Sequence, residues 1–475
     1  MQPGAASRRG TLAGAEGPGY PGPMAHPQSS VPAHARATLR LGLPLIGSHL
    51  AQMALHVTDT IMVGWYGVAA LAAVVLGASS FFVVFILGAG FAQAVMPLVA
   101  GALGQGDEAQ VRRATRMGLW LSVAYGVASY PLFWWSGPIL LALGQQPEVA
   151  ALGQDYMRIA GAGMIPALLV MVLKSHLAAL ERTQVVLWVT VAGVAVNAAV
   201  NWALIFGNWG APELGVEGAA IASVLTQGLT FAALALYAAM CPGLSRFRLF
   251  QRFWRADPAA LARVFRLGLP IGFTSLAESS LFQATAVMMG WIGTVELAAH
   301  GIALELAALT FMVHVGLSNA ATIRVGRFHG AADAGGLRRA GIVAVGLSMG
   351  LGLLAVALFL AMPAPLVSIF LDEAKPESAA ILGVGVSLLT MAALFQMADA
   401  AQVMALGLLR GVQDTKVPMV IAIVSYWAVG MPAAYGLAFG AGLGADGLWL
   451  GLVAGLTVAA GLLMWRFWSR APRPA

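Results

Sequence analysis

Charged side chains are scarce in this sequence. Asp, Glu, Lys and Arg make up 10% of its 475 residues, where a soluble globular chain carries about a quarter. The length alone would permit a few soluble domains, but too little polar material remains to cover their surfaces. Cysteine is nearly absent too. The single Cys241 excludes an intrachain disulfide and any cysteine cluster for a metal. The eight histidines show neither an HExxH pair nor a Cys/His ligand spacing. No GxxxxGK(S/T) loop exists, which argues against ATP-driven pumping. No set of nucleophile, base and metal ligands converges, so nothing in the sequence supports an enzyme or a resident cofactor. The alternating pattern of a membrane barrel is missing as well.

What the chain has is apolar length: 59% of it is hydrophobic and its mean hydropathy is +0.82. This composition predicts an all-α polytopic membrane protein, since helices satisfy every backbone group internally in lipid. Twelve apolar segments can be marked, at 39–63, 71–101, 115–138, 156–180, 184–207, 215–239, 265–290, 297–325, 339–361, 379–408, 417–439 and 446–467. Each is near or above the roughly 20 residues that a helix needs to cross hydrocarbon.

The net charge of +6 sits in short connecting stretches, which suits orientation signals better than a nucleic-acid face. One side gathers Arg36, Arg40, Arg112, Arg113, Arg116, Lys174, Arg182 and six arginines from Arg246 to Arg266. Arg324, Arg327, Arg338, Arg339, Arg410, Lys416, Arg466, Arg470 and Arg473 join them. The opposite side carries Glu148, Asp155, Glu213, Glu217, Glu296, Asp372, Glu373, Glu377 and Asp446, with only Arg158 and Lys375 basic. By the positive-inside rule both termini are expected in the cytoplasm. Residues 1–35, rich in Pro, Gly, Ala and Ser, read as a disordered cytoplasmic tail without a signal peptide, with Met24 an alternative start. Two six-helix halves follow at 36–240 and 265–468. A basic connector at 241–264 joins them near anionic lipid, and 469–475 is a short tail.

The halves are copies. LGLPLIGSHLAQMALHVTDTIMVGWYG at 41–67 returns as LGLPIGFTSLAESSLFQATAVMMGWIG at 267–293, a constant offset of 226. Pro44 matches Pro270, Gly90 matches Gly316, Asp107 matches Asp333, and Arg112 and Arg113 match Arg338 and Arg339. Both LGLP stretches are expected to open their helices, with the proline in the first turn. A duplicated unit of this size points to alternating access rather than a passive channel.

Four acidic residues fall inside apolar segments: Asp59, Glu278, Glu305 and Asp399. A charge there costs about 2.5 kcal/mol or more on insertion scales, so it usually faces a cavity. At 1.5 Å per residue Glu278 and Asp399 lie about 18 and 16 Å from the inner surface, and Asp59 about 9 Å from the outer one. Glu305 belongs to the outer leaflet. Such a carboxylate takes up a proton or holds a hard cation, and either state couples an ion to helix movement. The bland alternative is a carboxylate capped by hydroxyls that locks helices together. Asn197 and Asn201, at i and i+4, share one helix face as partners for Asp59 or as a plain helix contact. Gln52, Ser279, Ser280, Gln283, Gln396, Gln402 and Tyr426 are candidate lining groups. His49, His56, His176 and His300 each read as a satisfied neutral histidine before a ligand, with His300 the best placed for a cavity role, at a helix mouth. With 21 Met, 20 Phe and 13 Trp, the cavity should accept varied apolar ligands, and its acids should favour cations.

These stretches resemble the MATE family of multidrug and toxic compound extrusion transporters, in its bacterial NorM-like branch. The likeness rests on the segments around Asp59 and Glu278, on FQMADAAQVMALGLLRGVQDTKVP around Asp399, and on NAAVNWALIFG and LGVEGAAIAS. It covers about 36–468. It implies two six-helix lobes in a V and export of drugs driven by inward sodium or protons. It also implies a cation site, possible for Na+, at Glu278 and Asp399, with Asp59 serving the first lobe beside Asn197. Some proton-coupled relatives have an aspartate where this chain has Asn201, which leans the first lobe toward sodium. The expected function is thus cation-coupled antiport of amphipathic, often cationic, compounds by a monomer in contact with membrane lipids. The alternative is a flippase or exporter of a lipid-linked or metabolic substrate. Its cavity should be basic, whereas here the bases read as loop residues.

Overall fold

The computed structural model describes residues 30–372 and 375–470. Met24 and the tail up to residue 29, Glu373, and the end of the C-terminal tail lie outside the described residues. Every regular element among those described is a helix. In chain order they are α1 (Val31–Tyr66), α2 (Val68–Gln105), α3 (Glu108–Trp134), α4 (Ser136–Ala142), α5 (Pro147–Ala162), α6 (Met164–Ala179), α7 (Thr183–Phe206), α8 (Gly215–Met240) and α9 (Pro242–Ser245). The second half holds α10 (Pro258–Ile292), α11 (Thr294–Gly330), α12 (Ala334–Ala361), α13 (Pro363–Ser368), α14 (Ser378–Gly411), α15 (Lys416–Ile423), α16 (Met431–Tyr435) and α17 (Gly444–Arg470). Wide π-type turns at Val424–Gly430 and Gly436–Gly440 join α15 and α16 into one run, Lys416–Gly440.

Each of the twelve apolar segments coincides with one helix or with a broken one. Among the described residues nine helical runs are long and apolar enough to cross a membrane, and ten if α5 and α6, bent by 43°, form one span. The two others are α1 and α3. They have the length, 36 and 27 residues, but His49, Gln52 and His56 in the apolar part of α1, and the Ser, Tyr, Trp, Gly and Pro residues in that of α3, reduce their hydropathy.

The proline expectation is corrected. Pro44 and Pro270 lie inside α1 and α10, not in their first turns. The polar residues ahead of each LGLP continue the helix, and Pro32 and Pro258 occupy the opening turns instead. Pro258 follows Asp257, whose carboxylate accepts the Ala260 amide at 3.0 Å and caps α10. Residues 31–35 are helical rather than tail. Asp107 and Asp333, paired by the duplication, cap α3 and α12 in the same way, on Gln110 and Gly336.

The halves meet at one end only. That end carries Arg40, Arg112, Arg266 and Arg338 and is called the basic end here; the other is the acidic end. At the basic end one hydrophobic core contains residues of both halves, with Leu45, Ala92 and Leu98 beside Leu267, Ile271, Ala320 and Ile323. The first-half core at the acidic end, built on Met62, Val63, Phe133, Met164 and Ile205, contains no second-half residue.

Small residues make the close contact possible. Gly90 of α2 lies against Gly268 and Gly272 of α10 with no space for a Cβ. Its counterpart Gly316 of α11 lies against Ile46 of α1, itself the counterpart of Gly272. The inter-half seam is therefore built twice, by the two copies of the repeat. Toward the acidic end the same helix faces come free: Ala72, Val75, Ser79 and Val83 on α2, Gln283 and Gly290 on α10, and Gly301, Glu305 and Leu309 on α11 are exposed. A cleft between the halves follows, closed at the basic end.

Candidate functional site

Asp59 sits on the face of α1 turned toward α7. Asn201 of α7 donates from Nδ2 to Asp59 Oδ1 at 2.6 Å, and Ser223 of α8 donates to Oδ2 at 3.4 Å. The same Asn201 amide reaches Asn197 Oδ1 at 3.1 Å. Asn197 adjoins Asp59 directly as well as through Asn201, and Ser223 is a partner that the sequence reading did not single out. Both asparagines are fully buried, and Asn197 Nδ2 and Asn201 Oδ1 have no hydrogen-bond partner.

The second half holds a separate polar cluster. Gln402 of α14 donates from Nε2 to Glu278 Oε1 at 3.2 Å and to the Tyr426 hydroxyl at 2.5 Å. Tyr426 and Ser425 stand on the first wide turn of the Lys416–Gly440 run. Such turns often occur at functional sites, because they release one backbone register and re-aim side chains. Asp399 is 1% exposed, within electrostatic reach of Glu278, and neither of its oxygens has a partner. Nor do both amide atoms of Gln396, Gln402 Oε1 and Ser425 Oγ. Each unsatisfied buried group costs about 1–3 kcal/mol, more when charged. So many around one carboxylate make a site that a proton or a hard cation would stabilise. Among the described residues no three His, Cys, Asp or Glu side chains group as a metal site. The donors here are two carboxylates with amide and hydroxyl oxygens, which suits a weakly held monovalent cation more than a transition metal.

The remaining candidates divide between the cleft and the interior. Gln283 and Glu305 are exposed in the cleft, and Ser279 and Ser280 are half-buried on α10. Glu305 stands on the α11 stripe that continues Gly316. His300 follows the neutral reading rather than the cavity role: it is 1% exposed, accepts the Trp449 indole N–H at 3.1 Å and packs edge-on against that ring. His176 is buried against Thr115 at 2.8 Å, His49 accepts from Asn319 of the other half at 3.0 Å, and His56 is exposed.

The reading of almost all bases as loop residues is corrected for three of them. Lys174 lies inside α6, and its ammonium donates to Gln52 Oε1 at 3.1 Å. Arg410, in the last turn of α14, donates to Gln93 of α2 at 3.2 Å across the halves. Arg327 pairs with Glu181, also across the halves. Lys174 ends an apolar run seven residues before the loop at Glu181, so hydropathy alone could not separate a loop base from a buried one.

Comparison with known proteins agrees with this architecture. The family model MatE matches residues 44–203 and 270–436, one match for each copy of the repeat. The probable multidrug resistance protein NorM of Rhizobium meliloti is 46% identical over 445 residues, covering 94% of this chain and 95% of that protein. The protein of the same name from Agrobacterium fabrum is 45% identical over 434 residues, with 91% and 93% covered. Among solved structures, the outward-facing conformation of a multidrug resistance MATE family transporter superposes with TM-score 0.83 at 21% identity over 92% of this chain and 96% of that one. The eukaryotic MATE transporter AtDTX14 gives 0.82 at 21%, with the same coverage. The chain belongs to the MATE family of transporters, in its NorM-like branch.

Proposed function

We propose that this protein is a cation-coupled antiporter that exports amphipathic, often cationic, drugs and toxic organic compounds across a bacterial inner membrane. It acts as two six-helix lobes of twelve crossings in a V, with the basic end in the cytoplasm and the cleft open to the outside. The one-ended seam between the halves supports the V, and the arginine-rich basic end supports the orientation. The observation that carries the coupling is Asp399, buried with both oxygens unpartnered beside Glu278.

The mechanism is alternating access. Substrate occupies the cleft, where Glu305 and the neighbourhood of Asp59 attract positive charge and exposed apolar side chains accept the rest. A sodium ion or a proton enters from the outer side and reaches Glu278 and Asp399. It neutralises their repulsion, draws in Gln402 and Gln396, and repacks the Lys416–Gly440 run against α14. Ion and drug must favour different packings for this to couple them. Asp59, with Asn201, Asn197 and Ser223, supplies a second ion-responsive group in the other lobe. The Lys174 ammonium in the first lobe, bound among the described residues to a neutral amide, lets amphoteric compounds with one anionic group bind as well.

Asp399→Asn in proteoliposomes tests this, with drug transport driven by a sodium gradient and by a proton gradient separately. Loss of ion-driven export with intact protein is expected. Unchanged transport under either gradient would reject the assignment of Asp399.

A further inference from the structure

The connector between the halves builds a second charged site at the basic end, unrelated to the acidic clusters. Arg112, Arg113 and Arg116 from the first turns of α3 face Arg248, Arg252 and Arg255 from the connector around a pocket of about 650 Å3. Six arginines meet there with one carboxylate, Asp257, and that carboxylate is already engaged by Arg113 and by the Ala260 amide. Among the described residues none of the other five guanidinium groups has a carboxylate within 4 Å.

The pocket is constructed rather than a loose surface patch. Leu244, Phe247 and Leu249 are buried and pin the connector to the shared core at the basic end. Arg116, 6% exposed, donates from Nη1 to the carbonyls of Gln251 at 3.0 Å and Arg252 at 2.9 Å. Its Nε has no partner. Arg248 and Arg252 adopt left-handed backbone, with φ of 46° and 54°. That conformation disfavours any residue with a Cβ by about 1 kcal/mol or more, yet both positions hold arginines directed to the same pocket. Bringing so many like charges together without counter-charge is costly unless an anion completes the set.

We propose that this pocket binds a phosphate group, and that its physiological occupant is the headgroup of an anionic phospholipid. Several guanidinium forks suit phosphate oxygens, which accept paired N–H donors. The lipid source is favoured by the neighbours: Trp254 is 78% exposed and Phe250 37% exposed on the same connector, in the aromatic-with-arginine pattern that sits at a membrane surface. A bound headgroup would tie α3 of the first half to the connector that leads into α10 of the second.

The test uses full-length protein, delipidated in maltoside detergent. Short-chain phosphatidylglycerol, short-chain phosphatidylcholine, glycerol 3-phosphate and inorganic phosphate are titrated separately, with native mass spectrometry and thermal shift as readouts. The triple variant Arg112→Gln, Arg252→Gln, Arg255→Gln removes the pocket charge. The control Arg263→Gln, Arg266→Gln, Arg338→Gln removes equal charge from exposed positions at the same end. Phosphatidylglycerol should bind wild type and control alike, and the pocket variant about tenfold or more weakly. Binding of the soluble phosphates with the same variant dependence, without lipid binding, would keep the phosphate site and replace the occupant. Equal losses in both variants, or no discrimination between phosphatidylglycerol and phosphatidylcholine with no phosphate binding, would overturn the proposal.

Discussion

Gly90 lies with its backbone directly on that of Gly272, so that a methyl group placed on it would overlap the other chain segment. Gly316, 226 positions later, repeats the arrangement against Ile46. The two contacts close the cleft at the basic end; Gly90 packs on backbone, and Gly316 on both the backbone and the side chain of Ile46. Gly90→Ala should therefore weaken the closed seam by about 1–3 kcal/mol, the cost of overpacking. The cysteine of Gln283→Cys, on the free part of the α10 face, reports on it. Its labelling by a membrane-impermeant thiol reagent should fall severalfold when Gly90→Ala is added in a Cys241→Ser background. An unchanged labelling rate in folded protein would show that Gly90 does not control the seam.

The Asp59 site makes a prediction about the ion. Asn201 gives Asp59 a neutral donor at 2.6 Å. Asn201→Asp would put a second carboxylate in that place, and two carboxylates sharing a site hold one proton between them. Drug export by the variant should respond more to a pH gradient and less to a sodium gradient than wild type does. Proteoliposomes with each gradient imposed alone decide it; an identical ion preference in both proteins would remove Asn201 from the coupling.

The sequence revealed different parts of this molecule unequally. Apolar length and the repeat offset were enough for the helices and for the pairing of Gly90 with Gly316, because both depend on residues in a row. The Gln396, Asp399 and Gln402 stripe was visible because helical spacing places these side chains on one face. Lys174 was misassigned because a base near a helix end looks the same in sequence whether it points to water or to Gln52. The partner of His300 is illegible for a related reason: Trp449 comes from α17, and no local pattern announces a contact between residues 149 positions apart. The proline error arose because the helices extend beyond their apolar runs.

Lys174 bears on substrate choice. Its ammonium meets one neutral amide and no carboxylate within 4 Å among the described residues. A substrate carboxylate would gain a charged hydrogen bond there, worth about 1.5–3 kcal/mol. Lys174→Met should reduce apparent affinity for zwitterionic drugs about tenfold while leaving monocationic drugs nearly unchanged, and Lys174→Arg should retain most of the zwitterion affinity. Uptake measured in everted vesicles against both drug classes tests this, and equal losses for the two classes would assign Lys174 to packing alone.

Asp257 gives the connector a pH dependence of known sign. Its carboxylate accepts from Arg113 and caps α10 through Ala260. The Arg113 hydrogen bond is the main reason its pKa is held below the ordinary carboxylate value; burial opposes this, and the Ala260 amide and the charges of Arg113 and Arg116 reinforce it. A depressed pKa in the folded state means that the stabilisation is fully present above the unfolded value, about 3.9, and is lost as pH falls through the lower folded value. Arg113 is 44% exposed, so screening limits the pair to about 1 kcal/mol or less. Asp257→Asn keeps a capping side chain but removes the charge. Thermal melts of wild type and variant should differ by a constant small margin from neutral pH down to about 5, and the margin should shrink under stronger acid as wild-type Asp257 itself becomes protonated. A margin that stays constant into strong acid would mean that the Asp257 charge contributes nothing and that its cap alone anchors α10.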